Sequence, residues 1–328
     1  MKMQNHYFSI KAYLILSLLV CGCGPNHYLP DGEPEISRPF YVPKRIRTAL
    51  VLGSGGVRGM AHVGVIEELV AAGIPIDIII GCSAGSFVGA LYADNPNIEA
   101  IKCAVWKLRT NSLLDIELAE CRYGLSQTRC MHRVLDAHLN AETFEELQIP
   151  LVVVATDLYS GELVVIGSGE LPRAVQASCS IPFVFVPCKH MGRVLVDGGV
   201  INPVPVRVAK DLGAELIIAV DLSELLDKTA PTHLFGIANR SADIAFLWQN
   251  QTCAQDADVV IRPKTCKIGT FNEEKKRELY QAGKNAAREH IPEILELLSE
   301  LPQDDCINDS GWRLVHPPCY TPKIYLDP

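Results

Sequence analysis

A β-branched run, Ile76 to Ile80, leads into Gly81-Cys82-Ser83-Ala84-Gly85. An extended run that meets Gly-x-Ser-x-Gly reads as a strand, a sharp turn and then a helix. Glycines at 81 and 85 fit such a turn because it brings backbones together and leaves no room for Cβ atoms. The serine is lifted out of the sheet beside a helix N-terminus, where developing negative charge is favoured. Five residues match this pattern readily by chance, so the rest of the chain must supply an oxyanion site and a base.

A second glycine turn lies upstream. The short apolar strand Thr48 to Leu52 runs into Gly53-Ser54-Gly55-Gly56-Val57-Arg58-Gly59, and an amphipathic helix with Val63, Ile66 and Val70 follows, ending at Gly73 before Pro75. Strand, loop, helix, strand and helix in this order predict a parallel sheet with crossover helices. Glycine loops of this kind bind anions through backbone N–H groups. A P-loop would need Gly-Lys-Ser/Thr, and a dinucleotide fingerprint would need glycine at Arg58 and an acid ending the next strand; Asp77 begins that strand instead. An oxyanion hole fits better: the Gly55 and Gly56 amides would face the oxyanion, with Arg58 adding charge or fixing the loop.

The base is sought among strand ends. An α/β-hydrolase would supply a later histidine and place its oxyanion loop much further upstream. Here His190, His233, His290 and His316 do not sit at clean strand ends. Two aspartates do. Asp157 ends the strand Leu151 to Thr156, and Asp197 ends Val194 to Val196 ahead of Gly198 and Gly199. A carboxylate that takes a serine proton directly needs hydrogen-bond contact and a raised pKa. Asp197 is preferred because its two glycines permit a tight turn, and Asp157 remains its rival.

Other strands are expected at Leu163 to Ile166, Leu216 to Val220 and Val259 to Arg262. Helices are expected over Leu171 to Ala177, Val206 to Leu212, Ala238 to Thr252 and Glu273 to Arg288, with less regular helices between Pro96 and Leu147. The last could cap an acyl channel or simply pack. The chain of 328 residues, 48% apolar, can bury a sizeable core. A net charge of −8 with no clustered Lys/Arg stretch argues against a nucleic-acid partner. No Cys/His spacing suits zinc, so no metal or cofactor is expected.

The three glycine-bearing motifs together, Gly-Ser-Gly-Gly-Val-Arg-Gly, Gly-Cys-Ser-Ala-Gly and Asp-Gly-Gly, resemble the patatin-like phospholipase family, in its bacterial branch similar to neuropathy target esterase. Connecting text agrees: Ala61-His62-Val63-Gly64-Val65, Ala155-Thr156-Asp157-Leu158, Ala177-Ser178-Cys179-Ser180-Ile181-Pro182 and Asn202-Pro203-Val204-Pro205. The resemblance implies a three-layer α/β/α fold with a mainly parallel central sheet. It also implies a Ser83–Asp197 dyad working through an acyl-enzyme, with Gly55, Gly56 and Arg58 as oxyanion site and Gly53, Gly59, Gly81, Gly85, Gly198 and Gly199 as motif glycines. Substrates of the family are lipid esters, phospholipids and lysophospholipids, cleaved without metal. Phe183-Val184-Phe185 stands where relatives commonly carry a glycine, and Cys82 before the serine is less usual. A neutral-lipid or small-ester esterase and a non-catalytic lipid-binding lipoprotein are the alternatives.

Lys2 and Lys11 precede a nine-residue apolar run, Ala12 to Val20, too short to span a bilayer but suited to a signal peptide. Val20-Cys21-Gly22-Cys23 resembles a bacterial lipoprotein box with Cys23 lipidated. This predicts a signal peptide over 1–22, a Pro-rich tether over 23–47, the catalytic domain over 48–222, its C-terminal helical extension over 223–301 and an irregular tail over 302–328. The expected location is the cell envelope, with Gly24 favouring the outer membrane. There, Cys121–Cys130, Cys253–Cys266 and Cys306–Cys319 could form disulfides or remain free thiols.

Overall fold

The computed structural model describes residues 28–35, 38–108, 123–127, 129–224, 226, 229–265, 275–302, 311–318 and 320. The signal segment, Cys23, and Cys121, Cys266, Cys306 and Cys319 lie outside these residues, as does most of the expected cap around Leu113 to Leu118. Cys130 and Cys253, considered above for pairing, are free thiols.

The centre is an eight-stranded sheet. Five strands run parallel: β2 (Ile46–Leu52), β3 (Ile78–Cys82), β4 (Leu151–Asp157), β8 (Ala214–Val220) and β9 (Val259–Ile261). Three join antiparallel: β5 (Leu163–Ile166) on β4, β7 (Arg193–Asp197) on β4, and β6 (Cys188–His190) on β7. Successive side chains of a strand point to opposite faces, and a parallel sheet buries both. Leu50, Leu52, Ile79, Val153 and Ile218 accordingly enter one core, while Ala49, Val51, Ile80, Val154 and Ala219 enter the other. On the first face lie α1 (Met60–Ala71), α2 (Ala84–Asp94), α3 (Ile98–Lys107), α4 (Arg129–His138) and α5 (Leu171–Ser178). The second face is covered by α6 (Val206–Asp211), part of α7 (Leu234–Ala254) and the buried Phe40 and Val42 of β1 (Phe40–Pro43). The expected α/β/α layering with a mainly parallel sheet is present.

The edges of β4 position the site. β5 pairs with Val153 to Thr156 and fills one edge. The other edge is shared end to end: β3 pairs with β4 up to Cys82 opposite Val154, and β7 pairs from Asp197 opposite Ala155. β3 and β7 run in opposite senses, so their C-termini meet head on. The residues at that meeting point are Ser83 and Asp197.

The helix α8 (Lys276–Glu300) packs on α1, and each helix opens a gap for the other's backbone with a glycine. A Cβ at Gly64 would strike the Tyr280 carbonyl, and one at Gly283 the Ala61 carbonyl. Glu68 bridges to Arg288 (2.7 Å) and Lys284 (3.1 Å) across this contact. The helix extends well past the expected Arg288 and carries Pro292 inside it. A proline there deletes one intrahelical donor and normally reads as a stop, but the buried Ile294 beyond it keeps the last turns docked.

The structure differs from the sequence reading at both ends. The segment read as a tether through residue 47 holds β1 and the start of β2, and Tyr28 reaches the Pro187 carbonyl (2.9 Å). In the segment read as an irregular tail, β10 (Trp312–Val315) pairs antiparallel with β1. The pairing joins segments some 270 residues apart, which local periodicity does not register. Among the described residues no helix is long and apolar enough to cross a membrane.

Candidate active site

Ser83 stands between β3 and α2 with φ of 52°, in the left-handed region that a non-glycine side chain adopts at a cost. The turn persists because everything around it is close-packed. A Cβ on Gly81 would come within 2.5 Å of the Ser86 Cα, and one on Gly85 would strike the Leu52 carbonyl. Three side chains then hold the strained backbone. Ser178, at the end of α5, accepts the Ser83 amide proton (3.0 Å), and the Ser86 hydroxyl and Cys179 thiol donate to the Ser83 carbonyl at 2.6 and 3.2 Å. Burial pushes the Cys179 thiol up to about 12, which keeps it protonated and a donor.

Ser83 Oγ donates to Asp197 Oδ2 at 2.5 Å. The other carboxylate oxygen, Oδ1, accepts the Gly199 amide at 2.7 Å, so the ring closed by the Asp-Gly-Gly turn fixes the carboxylate plane. Thr156 Oγ1 holds the Asp197 carbonyl (3.0 Å), and the Asp197 amide donates to the Ser180 carbonyl (2.9 Å). A Cβ on Gly198 would lie 2.5 Å from the Val154 carbonyl, which is why the turn can lie against β4 only with glycine there. Asp197 is 5% exposed, and among the described residues it forms no salt bridge. Burial raises its pKa to about 6, against the lowering effect of the Ser83 hydroxyl and the Gly199 amide.

Asp157 is differently employed. Its Oδ1 caps the turn by accepting the Tyr159 and Ser160 amides, and its Oδ2 pairs with Arg193 at 2.8 Å. Arg193 begins β7, and the antiparallel sense of that strand carries it to Asp157 while carrying Asp197 to Ser83. One strand direction thus separates the two candidate bases.

The glycine loop follows β2, next to β3. The Gly53 and Ser54 amides are engaged with the Val220 and Pro203 carbonyls (3.0 and 2.8 Å). Gly55 and Gly56 come next, at the entry to a 3-10 turn over Gly56–Gly59, where opening N–H groups have no acceptor within the turn. Gly59 abuts Ala84, the residue after the serine: a Cβ there would lie 2.9 Å from the Ala84 Cβ. Arg58 is buried and turned back on its own loop. Its Nε donates to the Gly55 carbonyl (3.2 Å), and an Nη lies 3.9 Å from Glu224. Of the two roles left open for Arg58, this geometry displays the loop-fixing one. Gly199 closes the arrangement, with its Cβ position 3.2 Å from the Ser54 hydroxyl.

Sequence reasoning assigned no task to Ser178, Cys179, Ser86 or His62. His62 is fully buried and held neutral by burial, its pKa lowered to about 4. Its Nε2 lies 2.8 Å from the Gly53 carbonyl; because that oxygen only accepts, Nε2 carries the proton. His62 thereby pins the start of the loop from one turn into α1. Its presence, and that of Ser178 and Cys179, within the connecting text quoted above was the available signal. Phe183 has φ of 70°, a backbone region suited to glycine, which explains why a glycine is the easier residue at this position. Its side chain is 90% exposed rather than inserted into the fold.

Residues 50–210 match the model of the patatin-like phospholipase family. Patatin-like phospholipase domain-containing protein 6 of Homo sapiens is 36% identical over 203 residues, covering 58% of this chain and 14% of that protein. An uncharacterized NTE family protein of Mycobacterium tuberculosis is 37% identical over 180 residues, covering 54% of this chain and 49% of the relative. The chain therefore spans about half of the mycobacterial relative and a small part of the human one. The crystal structure of VipD from Legionella pneumophila superposes with a TM-score of 0.52 at 16% identity, over 90% of this chain and 73% of VipD, a likeness of fold. On the strength of the matched region and of the relatives that share it, the chain carries a patatin-like phospholipase domain.

Proposed function

We propose that this protein is a serine acyl hydrolase, of phospholipase A or lysophospholipase type, cleaving fatty-acyl esters of lipids through a Ser83–Asp197 dyad. The observation that carries the reading is the 2.5 Å contact between the hydroxyl of a serine with strained backbone and a buried carboxylate that no cation among the described residues neutralises. A carboxylate with pKa near 6 is mostly ionised at neutral pH yet basic enough to take a proton in the transition state.

Asp197 Oδ2 accepts the Ser83 proton as Oγ attacks the ester carbonyl carbon. The resulting oxyanion is received by the Gly55 and Gly56 amides, and donors of this kind each stabilise such a charge by about 3–4 kcal/mol. Arg58 and His62 act as positioning residues by holding the Gly55 and Gly53 carbonyls, so the loop pays no reorganisation as charge develops. Collapse breaks the ester bond; the alcohol leaves with the proton held by Asp197, and the acyl group stays on Ser83. Asp197 then deprotonates water, which attacks the acyl-enzyme carbonyl; as the Oγ–acyl bond breaks, Asp197 returns that proton to Ser83 Oγ and the fatty acid leaves.

The relatives named for phospholipase domains support lipid as the substrate. The apolar run Ala12 to Val20 and the lipoprotein-like box that ends at Cys23 support attachment to a bacterial envelope membrane, and fully membrane-bound Cys23→Ser protein would contradict that part. For the activity, purified protein is mixed with phosphatidylcholine and lysophosphatidylcholine vesicles and products are read by mass spectrometry. Fatty acid release that vanishes in Ser83→Ala is expected. Release from triacylglycerol or short esters alone, or release that survives Ser83→Ala, contradicts the reading.

A further inference from the structure

Phe183 is an unfavourable residue for its position. Its φ of 70° lies in the left-handed region, and its ring projects almost wholly out of the fold, so internal packing does little to offset the strain. Other exposed apolar side chains lead away from it. The Leu125 amide donates to the Phe183 carbonyl (3.3 Å), which sets the exposed Leu125 alongside. Tyr123 lies against Tyr28 with ring centroids 4.7 Å apart, and the Tyr159 hydroxyl donates to the Tyr28 carbonyl (2.9 Å). Leu29 and Leu158, the chain neighbours of Tyr28 and Tyr159, are exposed as well. Separate segments thus build one apolar face, with the Lys189–Asp31 pair beside Tyr28 at its edge.

We propose that this face docks on a lipid bilayer, with Phe183, Leu125 and Leu29 entering the acyl boundary and the tyrosines standing at headgroup level. Contiguous exposed apolar patches mark interaction surfaces, and tyrosine rings, apolar in body and polar at the tip, suit the membrane–water boundary. The length of the leash selects a bilayer as the occupant. From Cys23, the proposed lipid attachment point, to Tyr28 there are five residue steps, at most about 18 Å fully extended. A compact chain of roughly 300 residues is about 50 Å across. Tyr28 is fastened to the body, its hydroxyl donating to the Pro187 carbonyl (2.9 Å), and further on the Glu35 amide donates to the Met191 carbonyl (2.9 Å). A lipid on Cys23 therefore draws the Tyr28 side of the molecule to the membrane and leaves no length to reach it from the opposite side. That orientation rests on the attachment proposed above for Cys23; the apolar face itself does not.

The face also adjoins the catalytic serine. Cys179 donates to the Ser83 carbonyl and Ser180 accepts the Asp197 amide, and Phe183 follows on the same stretch of chain. Four residue steps from Cys179 to Phe183 span at most about 14 Å. The Ser126 amide donates to the Val184 carbonyl and the Val186 amide to the Ser126 carbonyl, both at 2.9 Å, so this loop is tied to the segment carrying Leu125. A bilayer resting on Phe183 would thus lie one short loop away from the acyl-transfer centre.

The test uses full-length Ser83→Ala protein, so that no turnover intervenes, with a reporter introduced as Phe183→Trp. Fluorescence on phosphatidylcholine vesicles with and without dibrominated acyl chains is compared with that of Ser83→Ala protein carrying only the native Trp106, Trp248 and Trp312. The emission added at position 183 should lose at least about a third of its intensity on brominated vesicles, as a side chain within the acyl boundary does. A smaller loss overturns the proposal, whatever happens to the native emission. Phe183→Asp gives a second reading, because aspartate suits a left-handed backbone at least as well as phenylalanine and the fold should persist. In protein with Ser83 intact it should slow hydrolysis of vesicle phospholipid by about tenfold, the scale of one aromatic side chain withheld from an apolar phase. Hydrolysis of a dissolved short-chain ester should stay within about twofold. A fall on vesicles of less than about threefold, or an equal fall on both substrates, overturns the docking face. Quenching at position 183 in a protein whose Ser83 form releases no fatty acid would instead defeat the acyl-hydrolase reading and leave the docking face standing.

Discussion

Asp157 and Asp197 lie at the ends of paired strands of one sheet, both are buried, and both accept the amide two residues on. They differ in what holds the second oxygen. Arg193 holds that of Asp157, and Glu162 shares the same guanidinium at 2.8 Å. Among the described residues, only the Ser83 hydroxyl holds that of Asp197. A buried carboxylate beside a cation is a structural anchor, because its charge is neutralised where it stands. The same group beside a neutral hydroxyl keeps an uncompensated charge, and its proton affinity rises. The antiparallel entry of β7 creates this difference by delivering Arg193 to one end and Asp197 to the other.

Turnover should divide the two carboxylates most sharply. Asp197→Asn keeps the shape but cannot take the proton, and kcat should fall by about a thousandfold or more. Asp157→Asn should leave kcat within about tenfold of the parent in the folded protein. Equal losses in steady-state fatty acid release would erase the distinction.

Stability should divide them with opposite sign. Asp157→Asn removes one of the two carboxylates that hold Arg193, leaving Glu162, and should lower unfolding free energy by about 1–3 kcal/mol. Asp197 has a folded-state pKa near 6, above its ordinary 3.8. Its contribution is therefore fully present below the ordinary value and is lost as pH rises through about 6. An amide, which mimics the protonated acid, should then stabilise the protein at pH 8 by up to about 3 kcal/mol, and by less at pH 5. Urea unfolding of both variants at the two pH values measures this; a destabilised Asp197→Asn at pH 8 would contradict it.

The pH profile gives the smaller effect. Because Asp197 must be ionised to accept the serine proton, kcat/KM should rise tenfold per unit below pH 6 and level off near pH 7. An ascending limb near pH 4 would mean that the carboxylate is not desolvated in solution.

Much of this was legible in the sequence because its signals are local. Ser83, the glycine loop and β5 follow from glycine spacing and apolar runs. Asp197 was preferred over Asp157 for its two glycines, but the strand direction that separates them depends on a register no local pattern encodes. The same holds for β10 against β1, for α8 continuing through Pro292, and for Ser178 and Cys179, which reach Ser83 from nearly a hundred residues away.

Labelling by a fluorophosphonate probe, mapped by peptide mass spectrometry and timed in the parent, Asp157→Asn and Asp197→Asn proteins, tests the dyad most directly. The account predicts a single adduct on Ser83, formed at near-parent rate in Asp157→Asn and at least a hundredfold more slowly in Asp197→Asn, the scale of a lost general base. An adduct on another residue, or a slow reaction in Asp157→Asn with a normal one in Asp197→Asn, would contradict it.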